Sequence, residues 1–473
     1  LMKNLMLIPS LIALFAAGTV QATPRGLCER SANFQEAAIM WFHARSCEKV
    51  TAAHIAAQKE LVLYAYQGTD VSKFSPDDFE GFNSLTFLSI ENSGNGILTP
   101  ELLSGMPSLK KLDLDNFPGM TELPEGLFRN LPELETVKLD DFIGVRSIAP
   151  GFLKGPVNLR NFQASGLPLV KELPAGLFQA QPSLERIDLS DSGVPRFQSN
   201  LLSGLLKLTK ISLSIGNYTP EHVPMPATEM PLDFFRDLPS LGSISLGHLI
   251  VRPGTFAGLD GASSLSLYGV EIERGSLTGL RQLKSLSFWG GPLQAGDFQG
   301  LENLQTLSIV NSKVGNLPPR VFAELSSLKT LYFSGAGITS FANGEALAGL
   351  KSLTLFEMTR NDTGAQLLTP RMFEQSPGLR KIRIRESGLR VLPVGTFRGL
   401  PELGLLDIVG HEFVNVDPQV FSPRNLAKST MVYFAGKTPD RETQYRILAE
   451  HGDRIAFDCG DFSLSQGFEF CPI

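Results

Sequence analysis

Acidic side chains recur at matching points of neighbouring segments in the first half of this 473-residue chain. Grouped carboxylates can attract a basic protein segment or, more weakly, a divalent cation. Lys138 is the main opposing charge, and repulsion between carboxylates about 5 Å apart in water costs only about 1 kcal/mol per pair. A solvated acidic surface without any partner therefore stays open as the alternative. The residues of this candidate site are Asp113, Asp115, Asp140 and Asp188.

Basic side chains gather at equivalent points nearer the C-terminal end, although the formal net charge of the whole chain is −6. A surface that carries both groups would be electrically polarised and could orient a charged partner. Ordinary solvated side chains are the alternative interpretation. We do not expect a nucleic acid partner, because the basic group is small. Its members are Arg360, Lys381, Arg383 and Arg385.

Aromatic side chains lie between the two charged groups. Tyr268 and Trp289 hold equivalent positions in successive segments, and Tyr332 follows further along. Solvent-facing Trp and Tyr side chains contribute much of the binding energy at protein interfaces. The alternative is an intramolecular stack that covers strand backbone next to Gly290 and Gly291.

Catalytic motifs are missing from the sequence. It contains no G-x-S-x-G, no H-E-x-x-H and no G-x-x-x-x-G-K, and its six histidines are scattered. His248 comes nearest to serines such as Ser245 and Ser266, but serine is frequent enough there for this proximity to arise by chance. We expect a protein that is not an enzyme and that uses neither a metal nor a cofactor.

A repeated segment of about 24 residues would position all of these side chains. It reads L-x-x-L-x-L, a small-residue turn, L-P-x-x-x-F and L-x-x-L, as in the copies from Leu109 and Leu379. Leu112 and Leu114 alternate at the period of a strand, so they point inward while the intervening residues share one exposed face. This period predicts a solenoid. The predicted units begin at Leu61, Leu85, Leu109, Leu134, Leu159, Leu184, Leu208, Leu241, Ala262, Leu283, Leu304, Leu328, Leu353, Leu379 and Leu403.

These repeats resemble the extracellular leucine-rich repeat family, in its longer repeat class. The resemblance covers Leu61 to Leu426 and implies the α/β horseshoe class, rich in β structure. A parallel concave β-sheet, a convex side of irregular or 3₁₀ structure and short helical caps are expected. It also implies recognition of a protein, or a glycan, through the concave face. The family's asparagine after the second strand leucine is largely replaced, for example by Phe117, Ser192 and His411, so serine hydroxyls or apolar packing must take its place.

The sequence divides into four predicted regions. Residues 1–22 read as a secretory signal peptide, with Lys3 near its start and an apolar run from Leu5 to Val20. An N-terminal cap over 23–60, a solenoid of about 15 repeats over 61–426 and a C-terminal cap over 427–473 follow. We therefore expect a secreted, extracellular or periplasmic protein without a membrane span in its mature chain.

The four cysteines flank the repeats in two pairs. Cys28 is expected to pair with Cys47, and Cys459 with Cys471, because each pair lies within one cap and a bond between the caps would have to span the solenoid. Four buried free thiols are the alternative. The N-terminal cap is expected to contain a helix that opens at Asn33 and runs through Trp41 and Phe42. In the C-terminal cap we expect a last strand from Met431 to Phe434, and then a helix that opens at Thr438 and runs through Leu448.

The unit that begins at Leu208 is longer than its neighbours and carries a proline-rich insertion over 217–231, which predicts a loop. The favoured function is an exported recognition module that binds through its concave face. The alternative is an inhibitor or effector that blocks a partner enzyme with the loop and the acidic stretch. A structural surface or adhesion protein is the third class, and it would self-associate; the sequence leaves the oligomeric state open.

Overall fold

A computed structural model describes residues 25–458 apart from 65–70, 92–95, 217–226, 364–365, 414–415, 437–446, 448 and 450–454. Seventeen parallel strands of this described part form one sheet, in which each repeat contributes a strand next to that of the preceding repeat. Two short helices precede it, α1 (Ala32–Trp41) and α2 (Ala52–Ala57). In chain order the strands are β1 (Glu60–Tyr64), β2 (Phe87–Glu91), β3 (Lys111–Asp115), β4 (Glu122–Leu123), β5 (Thr136–Asp140), β6 (Ser147–Ile148), β7 (Asn161–Ala164), β8 (Arg186–Ser192), β9 (Lys210–Ile215), β10 (Thr228–Glu229), β11 (Ser243–Gly247), β12 (Leu249–Val251), β13 (Ser264–Tyr268), β14 (Glu271–Ile272), β15 (Ser285–Trp289), β16 (Thr306–Val310), β17 (Gly315–Asn316), β18 (Thr330–Ser334), β19 (Ile338–Ser340), β20 (Leu355–Thr359), β21 (Lys381–Arg385), β22 (Leu405–His411), β23 (Met431–Gly436) and β24 (Ile455–Asp458).

The leucine pattern sets the register of the main sheet. Leu112 pairs with Leu88 on one side and Val137 on the other, and all three are buried. Apolar side chains from every repeat thus stack in continuous rows, which is the arrangement that the alternation predicts. The predicted start of one unit is wrong. Leu61 pairs with Leu88, not with Leu85, so the first unit begins three residues before its predicted start.

The rest of each repeat forms the convex side of the solenoid. Seven short outer strands pair with one another as β4–β6, β10–β12–β14 and β17–β19, outside the main sheet. Phenylalanines such as Phe128 and Phe152 are fully buried behind them, with ring centroids 5.1 Å apart. The described 3₁₀ segments are short, as expected for this side. They are Leu27–Glu29, Cys47–Lys49, Val71–Lys73, Pro76–Phe79, Ala342–Leu347 and Pro418–Phe421.

Several chemistries replace the asparagine that the leucine-rich repeat pattern places after each strand. Phe117 and Phe142 stack in this position with ring centroids 5.1 Å apart, and the Ser192 hydroxyl donates to the Ser214 carbonyl. Asn361 does hold the position, a point that the sequence analysis missed. Its Oδ1 accepts from the Ile338 N–H at 2.8 Å, and its Nδ2 donates to the Ile338 carbonyl at 3.0 Å. Buried polar groups are thereby satisfied between neighbouring turns.

His411 occupies the same position near the C-terminal end and is 1% exposed. The Leu389 N–H donates to its Nδ1, and Nε2 lies 2.9 Å from the Ile384 carbonyl. Because a backbone N–H can only donate, the ring must be neutral with its proton on Nε2. Burial lowers the pKa of His411, against the opposing effects of the Ile384 carbonyl, Asp362 and Asp407.

We expect acid to weaken the fold through His411. Since the folded pKa lies below the unfolded value of about 6.5, the unfolded chain binds more protons between the two, and stability falls as the pH falls through that window. The contribution is fully present above about pH 6.5. Urea midpoints of the wild type and His411→Asn should converge on going from pH 8 to pH 5.5, since all other groups are shared. A pH-independent difference between the two proteins would contradict this role.

The N-terminal cap covers the open end of the sheet. Helix α1 begins after Ser31, whose hydroxyl accepts from the Phe34 N–H at 3.3 Å, so the predicted start at Asn33 is wrong by two residues. Phe34 is buried against the rings of Phe74 and Phe79 at centroid distances of 5.4 and 5.1 Å. A disulfide joins Cys28 to Cys47 across 19 residues, as predicted.

The main sheet continues beyond Leu426. Strand β23 was expected there, whereas β24 was not, and Ile455 of β24 pairs with Val432 of β23. Cys459 and Cys471 lie outside the described residues, as do residues 1–22 and most of the helix expected after Thr438. The division of the chain at residues 60 and 426 therefore stays a prediction. Across the described residues, every helix is too short or too polar to cross a bilayer.

Candidate binding surface on the concave face

The register of the main sheet places every predicted binding residue except Arg360 in columns on the concave face. The first column holds the residue between the two inward positions of each strand, including Asp113, Asp188, Tyr332 and Arg383. The second column holds the residue two positions later, including Asp115, Asp140, Tyr268, Trp289 and Arg385. Lys381 starts its strand on the same face, and Arg360 follows the end of β20 with a positive φ of 50°.

The acidic end is only partly neutralised. Lys138 Nζ lies 2.6 Å from Asp140 and 3.4 Å from Asp113, while Asp140 also accepts from Gln163 and Ser165. Burial raises the pKa of Asp115, and the charges of Asp141 and Asp140 add to that effect. Asp188 accepts from the Ser190 N–H and hydroxyl. This end keeps an excess of carboxylates, centred on Asp115.

The basic end is not a positive patch. Asp407, whose side chain is only 4% exposed, binds Arg385 at 2.6 Å and Arg383 at 3.1 Å, and Glu357 binds Arg383 at 2.9 Å. Arg360 lies 3.7 Å from Glu386. The predicted reversal of charge is therefore corrected to a nearly balanced network. The sequence analysis missed Glu357 and Asp407, although both hold first-column positions and could have been found there.

The aromatic residues form a partly exposed shelf, which we define as His248, Tyr268 and Trp289. Tyr268 and Trp289 lie side by side with ring centroids 6.4 Å apart, and the His248 ring packs edge-on against Tyr268 at 5.6 Å. Trp289 is 40% exposed. Tyr332 belongs to the first column, three strands further on from Tyr268, so it stands apart from this shelf.

Gly247 lets the Tyr268 ring lie flat over the sheet. A Cβ at Gly247 would come within 2.2 Å of ring carbons of Tyr268, so no other residue fits beneath the ring. Burial raises the pKa of Tyr268 above its usual range, against the opposing effects of the Ser214 and Ser190 hydroxyls. Tyr268 is therefore fixed in place, whereas Trp289 presents its ring to solvent.

His248 is the histidine that the sequence places nearest to serines on this face. Burial lowers the pKa of His248, whose ring contacts Tyr268; no serine hydrogen bond to it is found in the described part of the chain. Among the described residues, three potential metal ligands come together only at Cys28, Cys47 and Glu48, where both sulfurs already form the disulfide. The acidic residues that the structure describes on the concave face do not converge in this way.

The described fold defines a leucine-rich repeat solenoid. The Leucine rich repeat family matches residues 296–362, and the BspA type Leucine rich repeat region matches 68–185 and 102–219. No curated protein matches the chain by sequence.

Solved structures support the same fold at low sequence identity. A chain of the TLR13–ssRNA13 complex is 18% identical with a TM-score of 0.64, covering 87% of this chain and 63% of that one. A chain of the Toll–Spatzle complex of Drosophila is 14% identical with a TM-score of 0.58, covering 81% and 50%. An internalin of Listeria monocytogenes is 14% identical with a TM-score of 0.53, covering 84% and 100%. This chain therefore spans less than two thirds of the first two proteins.

Proposed function

We propose that the chain is an exported, non-catalytic recognition module that binds a protein ligand through its concave face. The exposed ring of Trp289, held beside the fixed ring of Tyr268 midway along the sheet, carries this proposal. A large aromatic side chain kept in water by a rigid sheet loses little entropy when a partner covers it. Intramolecular stacking explains Tyr268 but leaves the 40% exposure of Trp289 without a function.

The uneven distribution of charge along the concave face would orient a bound ligand. The excess of carboxylates around Asp115 favours a ligand that carries a basic segment where it lies above the early strands. The balanced network around Asp407 favours neither sign of charge in the ligand. A nucleic acid partner fits poorly, since Arg383 and Arg385 already bind carboxylates. The TLR13 structure contains ssRNA and the Toll structure contains Spatzle, so neighbours of this fold do bind macromolecules. A glycan is the less favoured ligand.

Removing the two large rings of the aromatic shelf should weaken recognition. We expect the double variant Trp289→Ala, Tyr268→Ala to bind the protein ligand at least roughly tenfold more weakly, because interface tryptophan and tyrosine often each contribute above 1 kcal/mol. The ligand is first isolated by pull-down from the extracellular medium with the wild type, and its affinity is then measured by calorimetry.

Leu206→Ala is the matched control, because Leu206 is 59% exposed but lies outside the concave strands. It should bind as the wild type does. Equal affinity of the double variant and the wild type would refute recognition through the shelf.

Inhibition through the insertion is the alternative, and a deletion separates the two. Inhibition of a partner enzyme would survive the double variant and vanish on deletion of residues 217–230. Residues 217–226 lie outside the described part, but Thr228–Glu229 form β10, so the end of the insertion is a strand and not the predicted loop. Self-association seen by light scattering would instead favour the structural class.

The disulfide supports export. Cys28–Cys47 closes the N-terminal cap, and such bonds persist in oxidising compartments. Signal peptide cleavage after Ala22 is expected to leave a mature chain that begins at Thr23, outside or in the periplasm. N-terminal sequencing of the exported protein tests this directly.

A further inference from the structure

The row of outer strands is interrupted between β14 and β17. Strands β10, β12 and β14 pair in sequence, and β17 pairs with β19, but the intervening repeat places Gly291 and Pro292 where its outer strand would lie. Proline has no N–H to donate, so this segment cannot continue the ladder. Strand β14 is therefore left with an open edge.

The open edge of β14 has free backbone groups. The Glu273 N–H donates to the Val251 carbonyl at 3.0 Å, so the alternating residue Ile272 directs its own N–H and C=O away from β12. Within the described chain, no backbone partner is found for either group. An unpaired parallel edge of this kind is a template for an added strand.

An apolar cavity lies beside this edge. Its volume is about 280 Å³, which exceeds the 150 Å³ or so of an engineered cavity that accepts benzene. It exists because Gly291 replaces the side chain that Leu249 and Val270 supply in the preceding repeats. The apolar wall includes Val270, Ile272, Leu277, Leu286, Phe288 and Phe298.

The rim of the cavity is acidic. Glu271, Glu273 and Asp297 line it together with one cation, Arg274, which donates to the Ala295 carbonyl. Glu273 also binds Arg252. An occupant with basic groups on either side of an apolar one would match this charge pattern.

We propose that β14 and this cavity form a docking site for an extended peptide segment of a partner protein. The segment adds a strand at Ile272, inserts one apolar side chain into the cavity, and places lysine or arginine beside Glu271 and Asp297. Strand addition of this type takes affinity from main-chain bonds and specificity from the side-chain pocket. The site uses residues separate from the concave shelf, so it does not depend on the proposed function.

A random octapeptide library displayed on phage, selected on the full chain, tests the proposal. Enriched peptides should carry an apolar residue flanked by lysine or arginine, and synthetic copies should bind the wild type by fluorescence polarisation. Gly291→Leu should weaken them at least roughly tenfold by filling the cavity. The substitution should not disturb folding, because a Cβ at Gly291 meets no heavy atom within 4 Å, and thermal unfolding checks this.

Three further measurements test how and where the peptides bind. Methylation of the peptide backbone nitrogen next to the apolar residue should abolish binding, and Glu271→Lys should weaken it. The double variant of the aromatic shelf should bind these peptides normally. Binding that resists backbone methylation, or no enrichment on the wild type over Gly291→Leu, would overturn the proposal. A dimer lost in Gly291→Leu would assign the edge to a second copy of the chain and overturn it equally.

Discussion

Asp407→Ala is expected to lower the free energy of unfolding by about 3 kcal/mol, because it leaves two arginines without their shared partner. The Asp407 side chain is 4% exposed and accepts from Arg385 through both oxygens and from Arg383 at 3.1 Å. Removing one partner of a buried pair can cost 3 to 5 kcal/mol or so. The lower figure applies here, since Arg383 and Arg385 are 26% and 36% exposed and regain some hydration. Urea unfolding followed by circular dichroism measures the change.

Glu125→Ala is the matched control, since Glu125 pairs with Lys154 at the surface, where both side chains exceed 60% exposure. Exposed pairs contribute little, so its unfolding midpoint should equal that of the wild type. Asp407→Asn should fall between the two, because it keeps the shape and one acceptor but loses the charge. A wild-type midpoint for Asp407→Ala would show that the network does not hold β21 to β22.

The repeat could be predicted from the sequence because its signal is redundant. A strand such as β3 is specified by Leu112 and Leu114 and again by the same spacing in every neighbour. The predicted start of the first repeat, at Leu61, is wrong because no preceding repeat constrains the register there. The cap supplies the neighbouring residues instead. Redundant local signals fix a solenoid well except at its ends.

Contacts between side chains of neighbouring strands were harder to predict. Arg383 and Arg385 looked like a positive patch because each unit was considered by its most prominent charge, whereas Glu357 and Asp407 come from units on either side. Their pairing depends on the side-chain conformations of three adjacent strands. The orientation of Tyr268 likewise depends on Gly247, one strand away, whose missing Cβ admits the ring.

The cavity at Gly291 follows from a residue that carries no side chain. The sequence shows glycine at a position where neighbouring repeats hold Leu249 or Val270, and this absence gives no periodic signal. Only the packed structure reveals that the surrounding side chains do not close the gap. The cavity, like the ion-pair network around Asp407, depends on side chains from several neighbouring repeats and not on any single position.

Phe356→Ala is expected to cost about 4 kcal/mol of unfolding free energy, the largest loss that we predict from a single apolar substitution. Phe356 is fully buried in β20, where its ring lies 6.0 Å from that of Phe333 and 5.1 Å from that of Phe373. It therefore joins the strand layer to the phenylalanines of the back. Its truncation removes ring contacts in its own repeat and in the preceding one, and these repeats stabilise one another through their shared faces.

Phe356→Leu separates the aromatic contacts from simple burial. The equivalent positions in adjacent strands are Leu331 and Ile382, so leucine suits the backbone and should cost less than about 1.5 kcal/mol. Val157→Ala, at a side chain 65% exposed, should leave the urea midpoint unchanged. If Phe356→Leu were as damaging as Phe356→Ala, the ring contacts rather than the filled volume would hold the layers together. Equal stability of Phe356→Ala and the wild type would instead mean that the interior is not continuous through β20, which the register of the strands requires it to be.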